Sequence, residues 1–232
     1  PAMIYSRWTE AHFAMNRRTE QLASIRPGEQ FPAPVDPRVP VLDVRHRDGR
    51  MLAVLFGYAC HNTTMTGNTN EVNADYAGAA QSALEKRFPG LTALFLELCG
   101  GDQRVMPRGT RELTLRHGQA LADAVAVQLT QRGDFIPLRG TIRTSYQQGT
   151  LPFLVHQREA YTAEAASADV FAARRGRRML DAMEAGKPII STPYPAQAIA
   201  LGPGFVLLAL GGEVVVDYAL RFRREYPDAN LV

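Results

Sequence analysis

The chain has 232 residues, 46% hydrophobic and 21% charged, which is enough apolar material for one sizeable core and too little polarity for a disordered chain. Its formal net charge is only +3, and with lysine confined to Lys86 and Lys187 the basic pI of about 9.1 reflects arginines nearly balanced by acids. No basic run is interleaved with aromatics, which argues against a nucleic-acid partner; no apolar run approaches the about 20 residues of a membrane span; and two cysteines, Cys60 and Cys99, are too few for a disulfide scaffold and read as buried thiols.

Residues 1–30 are polar and mixed and read as helical or irregular, followed by a proline-rich connector from Phe31 to Pro40. Val39–Val44 and the apolar run Met51–Tyr58, separated by the turn signal Asp48-Gly49, predict a β-hairpin. A polar loop, His61–Asn73, leads to a helix over Ala74–Arg87 that stops at Pro89-Gly90. Leu91–Leu98 reads as a short buried strand, Gly100–Gly109 as a loop, and Arg111–Arg132 as a long amphipathic helix broken by Gly133-Asp134. Ile136–Phe153 has strand character. His156–Ala185 reads as one charged helix, polar nearly all round and lacking the apolar face of a lipid-surface module, so 156–187 is expected to be a helical surface excursion. Pro195–Leu201 and Phe205–Leu210 form a second hairpin around Gly202-Pro203-Gly204, and Val214–Glu225 a last helix before Pro227. Hairpins mixed with strand–helix–strand units predict one layered α/β (α+β) domain over 1–232, with mixed β-sheets flanked by helices. The opening at Pro1 and the strand-like Leu231-Val232 are expected to be interior to a longer protein.

Three strand-to-loop junctions carry the chemistry. Phe56–Met65 delivers His61 from a buried strand to a polar loop, as catalytic zinc sites present their histidines or as ordinary core histidines sit. Glu97–Gln103 ends a strand in Gly100-Gly101 and then Asp102; paired glycines let backbone N–H groups approach a ligand, or simply make a turn. Leu208–Val214 ends a strand in two glycines before Glu213, which opens a helix as a dipole partner, a metal ligand or a general base. Active sites of open α/β sheets lie at strand ends, so the repetition favours a shared cleft. His12, His46, His117 and His156 form no His-x-His or His-x-x-x-His pair, and the residues alone lead no further than a hydrolase-like cleft.

These junctions resemble the neutral/alkaline, non-lysosomal ceramidases. Asn16-Arg17, Val39–Val44 with Leu52–His61, Asn73–Gly78, Cys99–Asp102 and Leu210–Glu213 come in that family's order, and the likeness runs from Asn16 to Tyr226. The resemblance implies a zinc-dependent hydrolase cleaving the amide of an N-acylsphingosine-like lipid to a fatty acid and an amino alcohol. It makes His61 and Glu213 zinc ligands and matches Arg17 to an arginine that holds or polarises the substrate; Asp102 is placed with Arg17 among the catalytic groups, and backbone N–H groups at Gly100 and Gly101, with Arg17, are expected to steady the oxyanion. Asp75, like Asp102, reads as a second-shell acceptor for a ligand histidine or as a helix cap. A bacterial source and a secreted or periplasmic location are implied as well.

The chain departs from the family in lacking an upstream His-x-His motif and a downstream tyrosine ligand, and in reading Gln103-Arg104-Val105-Met106 where the family carries a serine. Two ligands rarely hold zinc, so weak binding and no activity are expected of these 232 residues alone. The rival readings are another zinc amide or ester hydrolase and a metal-free binding or scaffold domain.

Overall fold

Alternating apolar residues on two neighbouring runs, joined by a glycine that tolerates positive φ, set the first hairpin. A computed structural model describes residues 2–19, 33–66, 71–131, 136–154 and 157–232. In it β3 (Arg38–His46) pairs antiparallel with β4 (Met51–Tyr58) across a turn in which Gly49 has φ 87° and Asp48 accepts from the Arg50 N–H at 3.0 Å. The chain divides into two compact units, 1–145 with 198–232, and 146–197.

The first unit is built on a five-stranded mixed sheet of order β5–β4–β3–β1–β7, where β1 is Ala2–Glu10, β5 Thr92–Glu97 and β7 Ile136–Leu138. β4 and β5 run parallel and the other pairs antiparallel. The register places Val41 opposite Phe56 and Phe56 opposite Phe95, so one face carries Val41, Val54, Phe56 and Ala93 into the core. Helices α1 (Asp75–Arg87) and α2 (Arg111–Thr130) cover that face with Tyr76, Ala80, Leu84, Leu121, Val125 and Leu129. α1 and α2 pack in close contact at Gly118, where a Cβ would lie 2.4 Å from the Ala79 Cβ and 2.8 Å from the Tyr76 carbonyl. Gly118→Ala would gain about 1 kcal/mol of helix propensity, but forcing the helices apart costs about 2–3 kcal/mol. A net loss of about 1–2 kcal/mol is therefore expected in urea unfolding, and a stabilised variant would contradict this packing.

Residues 1–30 differ from their helical or irregular expectation. β1 is a nine-residue strand hidden by polar residues on its buried positions: Ser6 accepts from Asn230 at 3.1 Å, and Arg7, 6% exposed, donates to the carbonyls of Gln128 and, at 3.0 Å, Gln131. Arg45 adds a bond to the Leu129 carbonyl at 2.7 Å. α2 has no basic residue in its last turn, so arginines from two strands satisfy its terminal carbonyls and oppose its dipole. β2 (Ala14–Asn16) pairs with β6 (Gln103–Val105) in a two-stranded sheet beside the main one. The ends of α1, β5 and α2 fall within two residues of the sequence reading; Gly133-Asp134, expected to break α2, lie outside the described residues.

β8 (Ile142–Pro152), β9 (Ser191–Leu201) and β10 (Val206–Leu210) make a three-stranded sheet of order β10–β9–β8, and α5 (Val216–Glu225) follows β10. The second unit holds two helices where one was expected: α3 (Arg158–Ala165) and α4 (Val170–Glu184). The break falls where Asp169 accepts from the N–H groups of Phe171 and Ala172 and so caps a new helix. Gly176 lets the two meet, since its Cβ would stand 2.5 Å from the Ala165 amide nitrogen. Val170 and Phe171, at the start of α4, are 67% and 78% exposed. His156 lies outside the described residues. Among the described residues no helix is long and apolar enough to cross a membrane.

Candidate active site

The parallel pair β4 and β5 ends on one side of the sheet, so their following loops emerge together. From β4 the chain reaches His61, whose amide donates to the Gln103 carbonyl at 3.3 Å. From β5 it passes Glu97 and turns at Gly100 and Gly101 into Asp102 and β6. β10 brings the third junction, Gly211-Gly212-Glu213, against the second. The structure thus joins all three.

Close approach explains the glycines. A Cβ on Gly101 would lie 2.5 Å from the Glu213 carbonyl oxygen, and one on Gly100 would lie 2.9 Å from the Cys60 amide nitrogen. Their N–H groups are occupied: Gly100 donates to the Leu98 carbonyl at 2.6 Å and Gly101 to the Val214 carbonyl at 2.9 Å. Of the two amides expected at the oxyanion, that of Gly101 thus ties the second junction to the third, and that of Gly100 closes a tight turn onto Leu98.

His61 is oriented by its second nitrogen. Nδ1 lies 2.7 Å from the Gly100 carbonyl and 3.1 Å from the Gln103 carbonyl. Carbonyls only accept, so Nδ1 carries the proton in the neutral ring and Nε2 keeps its lone pair. That lone pair faces Glu213, whose Oε2 is 3.6 Å away and whose side chain is 76% exposed. Two donors each about 2.0–2.2 Å from one zinc lie about 3.4 Å apart at a tetrahedral angle. The pair therefore fits two positions of a zinc shell, with the ring held by the backbone-carbonyl contact usual for ligand histidines. Among the described residues no group of three or more His, Cys, Asp and Glu side chains converges in this way.

Glu97, which has no assigned role in the sequence reading, stands with Oε1 3.7 Å from His61 Nδ1. Burial pushes its carboxyl up, His61 opposes this, and Glu213 adds to it. The signal for Glu97 was in the sequence, a carboxylate directly after the apolar run Ala93–Leu96.

Asp102 is 4% exposed and serves as a junction. One oxygen accepts from the Val216 N–H and from Gln103 Nε2, both at 3.0 Å; the other accepts from Asn16 Nδ2 at 2.9 Å. Burial alone would raise its pKa, but these bonds outweigh burial and hold it below the ordinary value. Asp102 thus caps α5 from 114 residues away. Glu213 precedes the first helical residue by three positions and does not open the helix, which corrects the dipole reading.

Asn16, 1% exposed, binds Asp102 and the Pro34 carbonyl and accepts from the Arg18 N–H; it escaped assignment because its partners are remote in sequence. Its neighbour Arg17 is exposed, donates its backbone N–H to the Asp102 carbonyl at 2.7 Å and reaches the Gly101 carbonyl with its guanidinium. Asp75 touches no histidine ring in any described contact. It accepts from the Met65 and Tyr76 N–H groups at 3.0 and 2.8 Å and pins the loop after His61 to α1, from a left-handed φ of 51°. His117 meets the Pro107 carbonyl and stacks on Phe13, in the core. Both thiols are free, and burial raises both pKa values.

His61, Glu97, Gly101 and Glu213 open onto a cavity of about 580 Å³. Leu96, Leu98, Leu208, Leu210 and Phe222 supply apolar wall, and the lining also includes Trp8 and the Asp36–Arg223 ion pair.

No protein-family model and no curated protein matches the chain. Among solved structures, it is similar over its whole length to a neutral ceramidase from Pseudomonas aeruginosa, with a TM-score of 0.67 and 16% identity, covering 44% of that chain. A ceramidase complexed with C2 gives a TM-score of 0.69 at 16% identity, again over the whole of this chain and 46% of the other. The fold is therefore that of the neutral ceramidases, and the chain spans less than half the length of either structure.

Proposed function

We propose that this chain forms part of the catalytic centre of a zinc-dependent hydrolase that cleaves the amide of an N-acylsphingosine-like lipid to a fatty acid and an amino alcohol. The observation that carries the proposal is the facing pair His61 Nε2 and Glu213 Oε2, 3.6 Å apart, in the lining of a largely apolar cavity. The shared fold supports it. When held there by His61, Glu213 and further ligands, zinc supplies a water made acidic near neutral pH and polarises a carbonyl.

The chain's own residues do the rest. Carbonyls of Gly100 and Gln103 hold the His61 tautomer. The leucine walls shed water around an alkyl chain and leave the polar amide at the His61–Glu213 end. Arg17, fixed against the Gly101 carbonyl of the cavity lining, offers a permanent cation to the substrate oxygen. Asp102 and Asn16 act as positioning residues that lock the Arg17 segment, the Gly-Gly loop and the start of α5 into one arrangement. An amide or ester with another apolar chain is the second reading, favoured by the Gln103–Met106 stretch without serine.

The test uses the protein as its gene encodes it, assayed for metal content and for hydrolysis of a fluorogenic ceramide. Bound zinc with cleavage is expected. Zinc without cleavage would transfer the site to the second reading, and a metal-free protein would sink both.

A further inference from the structure

β5 is the last strand in the order of its sheet, so among the described residues one side of it has no strand neighbour. In the parallel ladder with β4 the Leu98 N–H donates to the Tyr58 carbonyl at 3.2 Å. Leu94, Leu96 and Leu98 therefore turn their backbone groups to β4, and Ala93, Phe95 and Glu97 turn theirs outward. α1 closes the start of that open side. The Ala93 carbonyl accepts from Gln81 Nε2 at 2.7 Å, and the Ala93 N–H donates to Glu85 Oε1 at 3.0 Å. No such cap follows: among the described residues the outward N–H and carbonyl of Phe95 and the N–H of Glu97 meet no hydrogen-bond partner. The open stretch is shorter than the about five or six residues of a usual strand, so it suits a short ligand better than a second sheet edge. It also ends in the site, since Glu97 Oε1 is 3.7 Å from His61 Nδ1 and Leu96, Glu97 and Leu98 line the cavity.

We propose that this edge binds the peptide part of an N-acyl peptide, which makes that class a substrate of the site. The inference rests on the hydrolase reading for its chemistry and on the edge alone for its binding. In an antiparallel alignment the second residue of the ligand exchanges its N–H and carbonyl with Phe95, and the first lies opposite Leu96. The acyl carbonyl then comes opposite Glu97, beside His61, and the alkyl chain enters the leucine-lined cavity. Hydrolysis adds water across the acyl C–N bond: the hydroxyl goes to the acyl carbon, a proton goes to the departing nitrogen, and a fatty acid and a peptide amine leave. The test uses the protein as its gene encodes it. Calorimetry on its Glu213→Gln variant, chosen to prevent turnover, compares dodecanoyl-alanyl-alanine amide with the same compound N-methylated at the second alanine. Methylation removes the donor to the Phe95 carbonyl and should weaken binding on the order of tenfold. Methylating the terminal amide, whose remaining N–H faces away from β5, should change it by less than about twofold. The wild type should cleave the unmethylated compound. Equal affinity for all three compounds would overturn the proposal, as would cleavage of ceramide without cleavage of the acyl peptide. Failure to cleave either amide would sink the hydrolase reading instead, and the calorimetry would still decide the edge.

Discussion

Glu213→Gln should leave the protein folded and abolish hydrolysis. The side chain is 76% exposed and faces His61 Nε2 at 3.6 Å, so nothing in the core depends on it. On the proposed zinc reading, losing the charge would remove a metal donor at constant shape. Changes to groups that merely orient zinc ligands already cost about 10–100-fold, so loss of a ligand should cost at least about a hundredfold. His61→Ala should do the same to activity with some loss of stability, because its ring also bridges the Gly100 and Gln103 carbonyls. If both act through one metal, their effects will not multiply: the double variant should be no worse than the worse single variant. Metal content, unfolding midpoint and turnover separate the cases. Full activity in a well-folded Glu213→Gln protein would remove Glu213 from the centre, and a multiplicative double variant would place the residues in separate roles.

What could be read in advance follows the range of the interactions. The β3–β4 hairpin, α1, β5 and α2 are set by local periodicity, a Gly turn and helix stops, and each was legible. The α3–α4 break depends on Asp169, a local cap that a charged, Ala-rich run conceals. β1 was illegible because Ser6 and Arg7 are buried against Asn230 and the end of α2, more than a hundred residues away. In the site, His61, Glu213 and the two Gly-Gly turns were visible as strand ends. That those turns press on each other was not, nor that their amides are occupied, nor that Asn16 and Gln103 lie on opposite strands of a three-residue ladder. Such facts arise from topology and appear only when the chain is folded.

Asp102 tests whether that topology matters to function. Its carboxylate accepts from three chain segments, at Asn16, Gln103 and Val216, in an almost waterless setting. Asp102→Ala leaves those donors without an acceptor and should cost about 3–5 kcal/mol. Asp102→Asn is the gentler probe: its amide keeps one acceptor oxygen, but its NH₂ meets the Asn16 NH₂, for a cost of about 1–3 kcal/mol. The penalty has a pH signature. The folded-state pKa is depressed below the ordinary 3.8, so the folded protein holds the ionised form more strongly than the unfolded chain does. The stabilisation is therefore complete above about pH 4 and fades as pH falls through the lower folded value. The stability gap between wild type and Asp102→Asn should be full at neutral pH and shrink in strong acid. A gap independent of pH would mean that the cost is steric, not electrostatic. Turnover supplies the second readout. A positioning residue that anchors α5 behind Glu213 should lower kcat and metal retention together in protein that remains folded. If kcat holds while stability falls, Asp102 supports the fold alone, and the arrangement around His61 and Glu213 does not need it.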